Sequence, residues 1–184
     1  MTDTLPIGPG GAAGPLDPLL AGGGPLVVTD LTGSPRFGIR GPGALAWWQE
    51  QGPTLPEINR RHAVAGGEVL RLGYQDLMML GPGADRLAEH WRSAGGAKGH
   101  DSHRDAALAW LRVGGPWLHI ALTRLCALDL RPQAAPTDRL WQTRFAGLNA
   151  VVLRDADAVQ ILFDIASTAV MLHRVEAVAR ELET

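Results

Sequence analysis

The chain repeats one plan of strand, turn and helix, and that repetition constrains its fold more than any other feature. Arg36-Phe37-Gly38-Ile39-Arg40 is a short β-type run, Gly41-Pro42-Gly43 a turn, and the residues through Trp47-Trp48 a helix-type stretch. The same plan returns in Leu108-Ala109-Trp110-Leu111-Arg112-Val113, then Gly114-Gly115-Pro116, then Trp117 to Leu125. Gly41 and Gly114 fill corresponding slots in this reading. In each copy a proline sits just inside the helix start, where its missing N–H leaves no bond unmade. A unit that recurs along a chain is one supersecondary block used again, so the two copies predict two similar halves.

The segments downstream repeat as well. Glu68 to Gly73 and Asp76 to Gly81 predict a hairpin about Tyr74-Gln75, followed by a helix over about 83–93. Its Ala84, Leu87, Ala88 and Trp91 keep the i, i+3, i+4, i+7 spacing of a buried face. In the second copy, Leu140 to Ala146, Leu148 to Arg154 and Val159 to Ala166 read as three strands before a helix over about 168–182. Met171, Val175, Val178 and Leu182 line its apolar face, with His173, Arg174, Arg180 and Glu181 away from it. Short helix-free connections between hairpin strands require antiparallel pairing. The expected fold is therefore α+β: internally duplicated strand-helix-strands-helix units, mostly antiparallel sheets with helices packed on them.

The expected organisation is a first half over 26–98 and a second over 99–184, joined by the small-residue segment Ser93 to Gly99. Both halves are expected to form one compact unit, since neither has much apolar surface to be stable alone. Residues 1–25 hold seven Gly and five Pro. That composition neither propagates a helix nor fills a sheet, so a flexible arm is expected there.

The whole-chain numbers exclude several function classes. With 17 basic and 19 acidic residues, a formal charge of −2 provides no field to recruit nucleic acid or an acidic membrane. Cys126 is the single cysteine, which rules out an intrachain disulfide or a thiolate metal cluster and suits a reducing compartment, hence a cytoplasmic location. No apolar run approaches the ~18 residues needed to span a bilayer. Met1 to Ala13 has no basic residue and no continuous apolar core, so no secretory signal is expected there.

Candidate chemistry is sparse. His100, Asp101, His103 and Asp105 cluster within six residues. Structural zinc sites draw four ligands from two separated pairs, and no second pair follows, so the cluster reads as a polar loop entering a strand and no metal site is assigned. His119 and Cys126 lie two helical turns apart, about 10 Å along an axis, too far for proton transfer; Cys126 reads as a small core residue. Asp155 and Asp157 fall in a predicted turn, where aspartate is favoured for backbone reasons. No nucleophile elbow, Walker loop or dinucleotide fingerprint is present. No catalytic, cofactor-binding or metal-binding residue is therefore assigned, and a non-catalytic role is expected.

The six tryptophans point elsewhere. Trp47 and Trp48 are adjacent on a predicted helix, so their side chains diverge by about 100° and do not easily enter one core together. Trp110 and Trp117 bracket the equivalent turn in the second copy. On the strand Leu140 to Ala146, Trp141, Thr143 and Phe145 face one way, Gln142 and Arg144 the other. Tryptophan and arginine are enriched at the energetic centres of protein interfaces. Two readings stand open: the tryptophans fill the core, or Trp47, Trp48, Trp117 and Arg144 form a partner interface.

These motifs carry a resemblance. Asp30-Leu31-Thr32 through Arg36 to Ala44, and again Asp101-Ser102-His103-Arg104 through Leu111 to Pro116, resemble the signature of the glycine cleavage T-protein and its folate-binding relatives: Asp-x-Ser, a strand, then Gly-Pro-x-Ala. Leu125-Cys126-Ala127-Leu128-Asp129-Leu130-Arg131-Pro132, with Gln142-Thr143-Arg144 and Leu148 to Arg154, is similar to the gamma subunits of heterotetrameric sarcosine oxidase and related N-methyl amino acid dehydrogenases. The resemblance covers roughly residues 26 to 183. It implies a folate-binding, T-protein-like fold and a non-catalytic gamma-type chain that docks on an alpha chain, with beta and delta subunits as further partners. It also implies a complex using FAD, FMN, NAD and tetrahydrofolate, none of them bound by this chain, to oxidise sarcosine or a similar secondary amine. The alternative is a stand-alone tetrahydrofolate-binding or aminomethyltransferase-like protein.

Overall fold

A computed structural model of the chain describes residues 24–51, 53–95, 99–102 and 104–183. All of the expected 1–25 arm but Gly24 and Pro25 lies outside them, as does His103. The chain forms two compact units: one takes Met1–Gly33, Leu108–Thr137 and Trp141–Thr184, the other Ser34–Ala107 and Asp138–Leu140. Each is an antiparallel five-stranded sheet with helices, as the α+β expectation has it.

The unit centred on Ser34–Ala107 runs β2 (Arg36–Arg40), α1 (Pro42–Gln51), β3 (Arg60–Val64), β4 (Gly67–Gly73), β5 (Asp76–Leu80), α2 (Gly83–Ser93), β6 (His100–Asp101) and a short α3 (Arg104–Ala107). Its sheet order is β3-β4-β5-β2-β6. Alternation sends Phe37, Ile39, Val69, Leu77 and Met79 to one face, where they pack with Ala84, Leu87, Ala88 and Trp91 of α2. These four are the positions the helical spacing singles out.

The other unit contains β1 (Val27–Asp30), β7 (Leu108–Gly114), α4 (Leu118–Leu125), β8 (Leu140–Phe145), β9 (Leu148–Arg154), β10 (Ala158–Asp164), a 3-10 turn (Ile165–Ser167) and α5 (Thr168–Leu182). The order is β1-β7-β10-β9-β8. Leu111, Val113, Val152, Ile161 and Phe163 form the sheet side of its core, and Leu122, Leu125, Met171 and Val175 the helix side. Along α5, His173, Arg174, Arg180 and Glu181 are exposed, while Val178 and Leu182 are only half-buried.

The duplication is visible bond by bond, with one shift of register. In the first copy the Ala44 N–H donates to Gly41 O at 3.0 Å, and in the second the Leu118 N–H donates to Gly115 O at 3.2 Å. The counterpart of Gly41 is thus Gly115 rather than Gly114. Their φ angles, 119° and 112°, both lie where a side chain is strained. A third copy of this turn joins β5 to α2, with the Ala84 N–H donating to Gly81 O at 2.9 Å. At β10 the device changes: the Asp164 carboxylate accepts the Ala166 N–H at 2.9 Å and opens a 3-10 turn into α5.

The edges differ from the expected 98/99 division. β1, at the head of the first copy, pairs with β7 of the second, Val28 opposite Val113 and Asp30 opposite Leu111. β6, at the head of the second copy, pairs with β2 of the first, Ile39 opposite Asp101. Each copy lends its leading strand to the other's sheet. The His100–Asp101 stretch is therefore an edge strand, and Arg92 of α2 holds Asp101 at 2.7 Å. Strand β3 was not legible in the sequence, because Arg60-Arg61-His62 lacks apolar alternation; it is a charged edge strand whose Arg61 pairs with Glu68 at 3.0 Å.

Candidate partner surface and the cleft at helix α4

The four candidate interface residues separate into two kinds. Trp47 and Trp48 are both buried, at 5% and 0% exposure, so neither is available to a partner. Their divergence is real, but both directions are covered. Trp47 stands edge-on to Trp91 at 5.0 Å and to His90 at 5.5 Å, while Trp48 donates its indole N–H to Pro53 O at 2.9 Å. A helix flanked by α2 on one side and the 53–55 segment on the other accommodates two adjacent indoles in one core, against the expectation that they do not easily enter one together. Trp91 and Trp110 are buried too, and Trp141 is half-buried against its unit's core.

Trp117 and Arg144 are exposed. Trp117 is the N-cap of α4 and is 44% accessible. Arg144 lies on the outward row of β8 with Gln142, and its guanidinium folds onto Gly147 O of the β8–β9 turn. That turn is tight, with φ of 48° at Ala146 and 74° at Gly147, and Arg174 of α5 also donates to Ala146 O. The Ala146 N–H donates to Leu125 O, so this turn sits at the far end of α4 from Trp117, about 12 Å of helix rise away. The fold does not bring Trp117 and Arg144 together.

A cleft of about 360 Å³ opens along α4 between Leu118, Leu122 and the 126–132 segment. Its walls are mainly leucine, Leu128 and Leu130 included, with His119, Thr123, Asp129 and Arg131 exposed at the rim. Buried Arg154 closes one side. Its guanidinium donates to Leu130 O at 2.9 Å, Ala158 O at 2.8 Å and Ala156 O at 3.1 Å, tying the cleft wall to the β9–β10 turn. On the rim, Arg131 grips Asp129 through Nε at 2.8 Å and Nη2 at 2.6 Å, with the Arg131 backbone N–H donating to the same carboxylate at 3.1 Å. These bonds hold the Asp129 pKa down at about 2 and raise that of Arg131.

Cys126 and His119 line this cleft together, yet the thiol is buried and burial pushes its pKa up, away from the thiolate a nucleophile needs. Asp155 and Asp157 serve a network on the β7–β10 strands. The Trp110 indole donates to Gln160 at 2.9 Å, the Gln160 amide donates to Asp155 at 3.0 Å, and Arg112 donates to Asp157 at 2.8 Å. Among the described residues no group of three metal-ligating side chains is gathered.

The sequence reading passed over Asp129, Arg131 and Arg154 as site residues, although all three fall within the stretches that carry the family resemblance. A second groove, wider and shallower, lies over β8 and β9 beside Gln142, Arg144 and Asn149, which belong to the 142–144 and 148–154 stretches of that resemblance. Nothing in the pattern Ala-Val-Val-Leu-Arg marks Arg154 as buried, because a terminal arginine reads as leaving the strand.

No family profile and no curated protein sequence matches the chain. Among solved structures, a chain of heterotetrameric sarcosine oxidase from Corynebacterium sp. U-96, in complex with pyrrole 2-carboxylate, is similar with a TM-score of 0.74 and 22% identity over 86% of each chain. The glycine cleavage system aminomethyltransferase T from Bartonella henselae matches 88% of this chain with a TM-score of 0.59 and 16% identity, but only 49% of its own length is covered. The chain therefore has the T-protein-like α+β fold, in a version that spans about half of the aminomethyltransferase and most of the sarcosine oxidase chain.

Proposed function

We propose that this chain is the small, non-catalytic, gamma-type subunit of a heterotetrameric sarcosine oxidase-like flavoenzyme complex, docking on the alpha chain beside beta and delta subunits. The observation that carries this reading is the likeness to a chain of heterotetrameric sarcosine oxidase over 86% of both molecules, so that the two chains are of similar length and neither matches a mere fragment of the other. The chemistry of the clefts supports a role without catalysis. Recognition of a pterin ring calls for a free carboxylate to pair with its adjacent N–H groups. The carboxylate on the rim of the α4 cleft, Asp129, is held through both oxygens by Arg131, and Asp164 beside the second groove gives one oxygen to the Ala166 N–H. FAD, FMN, NAD and tetrahydrofolate are assigned to the other chains of the complex. Exposed Trp117 is the anchor we assign to the alpha-chain contact, since a solvent-facing indole is the most productive hot-spot residue available.

The test is co-expression with alpha-, beta- and delta-type chains. The expected result is co-elution of all four with bound flavin, and loss of assembly or of sarcosine oxidation when this chain is omitted. A complex that assembles and oxidises sarcosine fully without it would overturn the proposal. The T-protein likeness favours one competing reading, a stand-alone folate binder. Titration of the isolated chain with tetrahydrofolate, followed by tryptophan fluorescence, separates the two: saturable quenching would favour the competitor.

A further inference from the structure

We propose that a carboxylate-bearing segment of the alpha-type chain pairs with Arg71 and packs on Ile58 and Tyr74. The identity of the partner rests on the reading above. The surface itself is drawn from this chain's own residues, all within the unit centred on Ser34–Ala107.

Ile58 and Tyr74 are 45% and 66% exposed, and both stand on turns that the backbone holds in place. The Ile58 turn is closed by the Arg60 N–H donating to Glu57 O at 3.1 Å, with Asn59 at φ 59° in the left-handed region that asparagine tolerates. It is fastened on both sides. The Asn59 N–H donates to Arg71 O at 2.8 Å, and the Leu140 N–H donates to Asn59 O at 3.0 Å. The Tyr74-Gln75 turn between β4 and β5 is pinned through Gln75 O, which accepts the Gly41 N–H at 3.1 Å. A backbone held in advance has little further freedom to lose when a partner arrives.

Arg71 joins the two turns and selects the chemistry of the partner. Its Nη1 donates to Pro56 O and its Nη2 to Tyr74 O. Both bonds are 3.4 Å, longer than the about 2.7–3.2 Å of a well-made N–H···O bond. Nε is buried with no acceptor. Among the described residues no carboxylate pairs with this guanidinium: Asp138 is taken by Arg60 at 2.6 Å, and Glu57 pairs with neither arginine. Arg60 stands directly opposite Arg71 on β3, so the two cations share one face of the sheet. What the patch lacks is an anion, and a carboxylate matches the guanidinium fork with two parallel bonds. Tyrosine and arginine are also the residue types that carry most binding energy at interface centres, which favours a protein segment over a small anion.

Titration of the full chain against the alpha-type chain tests this. Tyr74→Ala and Arg71→Gln are each expected to weaken binding roughly tenfold. Arg71→Gln keeps an amide donor for the neighbouring carbonyls and removes only the charge. Its deficit should narrow as salt rises from about 0.1 M to about 1 M, where charge pairs are screened, while that of Tyr74→Ala persists. Wild-type affinity in both variants would overturn the proposal. A salt-independent deficit in Arg71→Gln would overturn it too, since that is the mark of a merely structural role. Should urea unfolding show either variant destabilised, Ile58→Ser at the exposed turn decides, with the same roughly tenfold loss expected and wild-type affinity again overturning the proposal. Self-association of the isolated chain that Tyr74→Ala abolishes would place a second copy on the patch and also overturn it. If the wild-type chain does not bind the alpha-type chain at all, the proposed complex falls and this contact with it; if it binds and the variants bind equally well, only this contact falls.

Discussion

At the scale of single residues, the structure separates side chains that serve the backbone from those free to meet another molecule. Asp129 belongs to the first kind. Its carboxylate accepts both guanidinium and backbone N–H bonds from Arg131, which lowers its pKa from 3.8 to about 2. A carboxyl with a depressed folded-state pKa contributes stability that is fully present above its unfolded value and is lost as pH falls through the folded one. The Asp129–Arg131 clasp at the cleft rim should therefore hold at pH 4 and above and release as pH drops toward 2. Carbon-detected NMR titration of the Asp129 carboxyl is expected to show a midpoint near 2, moving up toward 3.8 in Arg131→Ala; an unchanged midpoint in that variant would dismiss the clasp. Gly67 makes a different kind of demand. With φ at 150°, a Cβ placed there would lie 1.9 Å from Leu80 O on the neighbouring strand. Gly67→Ala is expected to cost on the order of 3 kcal/mol, because backbone rather than a mobile side chain would have to move. Urea denaturation measures this, and a loss under about 1 kcal/mol would mean that the start of β4 shifts freely against β5.

At the scale of elements, the two tryptophan-bearing helices illustrate what a sequence can and cannot reveal. Spacing alone located α2 and its buried face, because Ala84, Leu87, Ala88 and Trp91 form a stripe that only one orientation buries. The same logic misjudged α1. Adjacent indoles at Trp47 and Trp48 leave no single stripe, and what resolves them is the neighbourhood: His90 and Trp91 across from one, the Pro53 carbonyl beside the other. Those neighbours come from distant or irregular segments, so no local pattern announces them. Arg154 was illegible for the same reason, since its partners are carbonyls of the 130 and 155–158 segments. The contrast between the helices predicts a double dissociation. Trp48→Ala removes a fully buried side chain and is expected to lower stability by about 3–5 kcal/mol. Trp117→Ala, at a position 44% exposed, is expected to change stability by less than about 1 kcal/mol while weakening assembly with an alpha-type chain at least tenfold. Urea unfolding and co-purification together read both effects. A Trp117→Ala chain that assembles normally would remove that residue from the interface.

At the scale of the whole molecule, the duplication was legible and the exchange of strands was not. The repeated strand, glycine-proline turn and helix could be seen in the letters because φ near 110° and proline at a helix start leave few choices of residue. Which sheet a short β-type run joins is decided by pairing across the chain. Val27-Val28 and His100-Asp101 carry no mark of it, so a division at 98/99 followed chain order where the fold does not. In the structure β1 pairs with β7 along Val27 to Asp30, and β6 with β2 through Ile39 and Arg40. Cutting the chain at 98/99 would thus take the edge strand from both sheets, and would take Leu26 and Val28, at 0% and 1% exposure, from the core beneath β7. A fragment of residues 99–184 would expose the unpaired edge of β7 along with the core residues that pack with Leu26 and Val28, and an unpaired apolar edge invites aggregation. The prediction is that fragments 24–98 and 99–184 do not fold separately, whereas co-expressed they recover the circular dichroism and exchange protection of the intact chain. If fragment 99–184 alone gives a cooperative unfolding transition as steep as that of the whole chain, β1 is an ornament on its sheet; if only the pair does, the two copies are folded by what each lends the other.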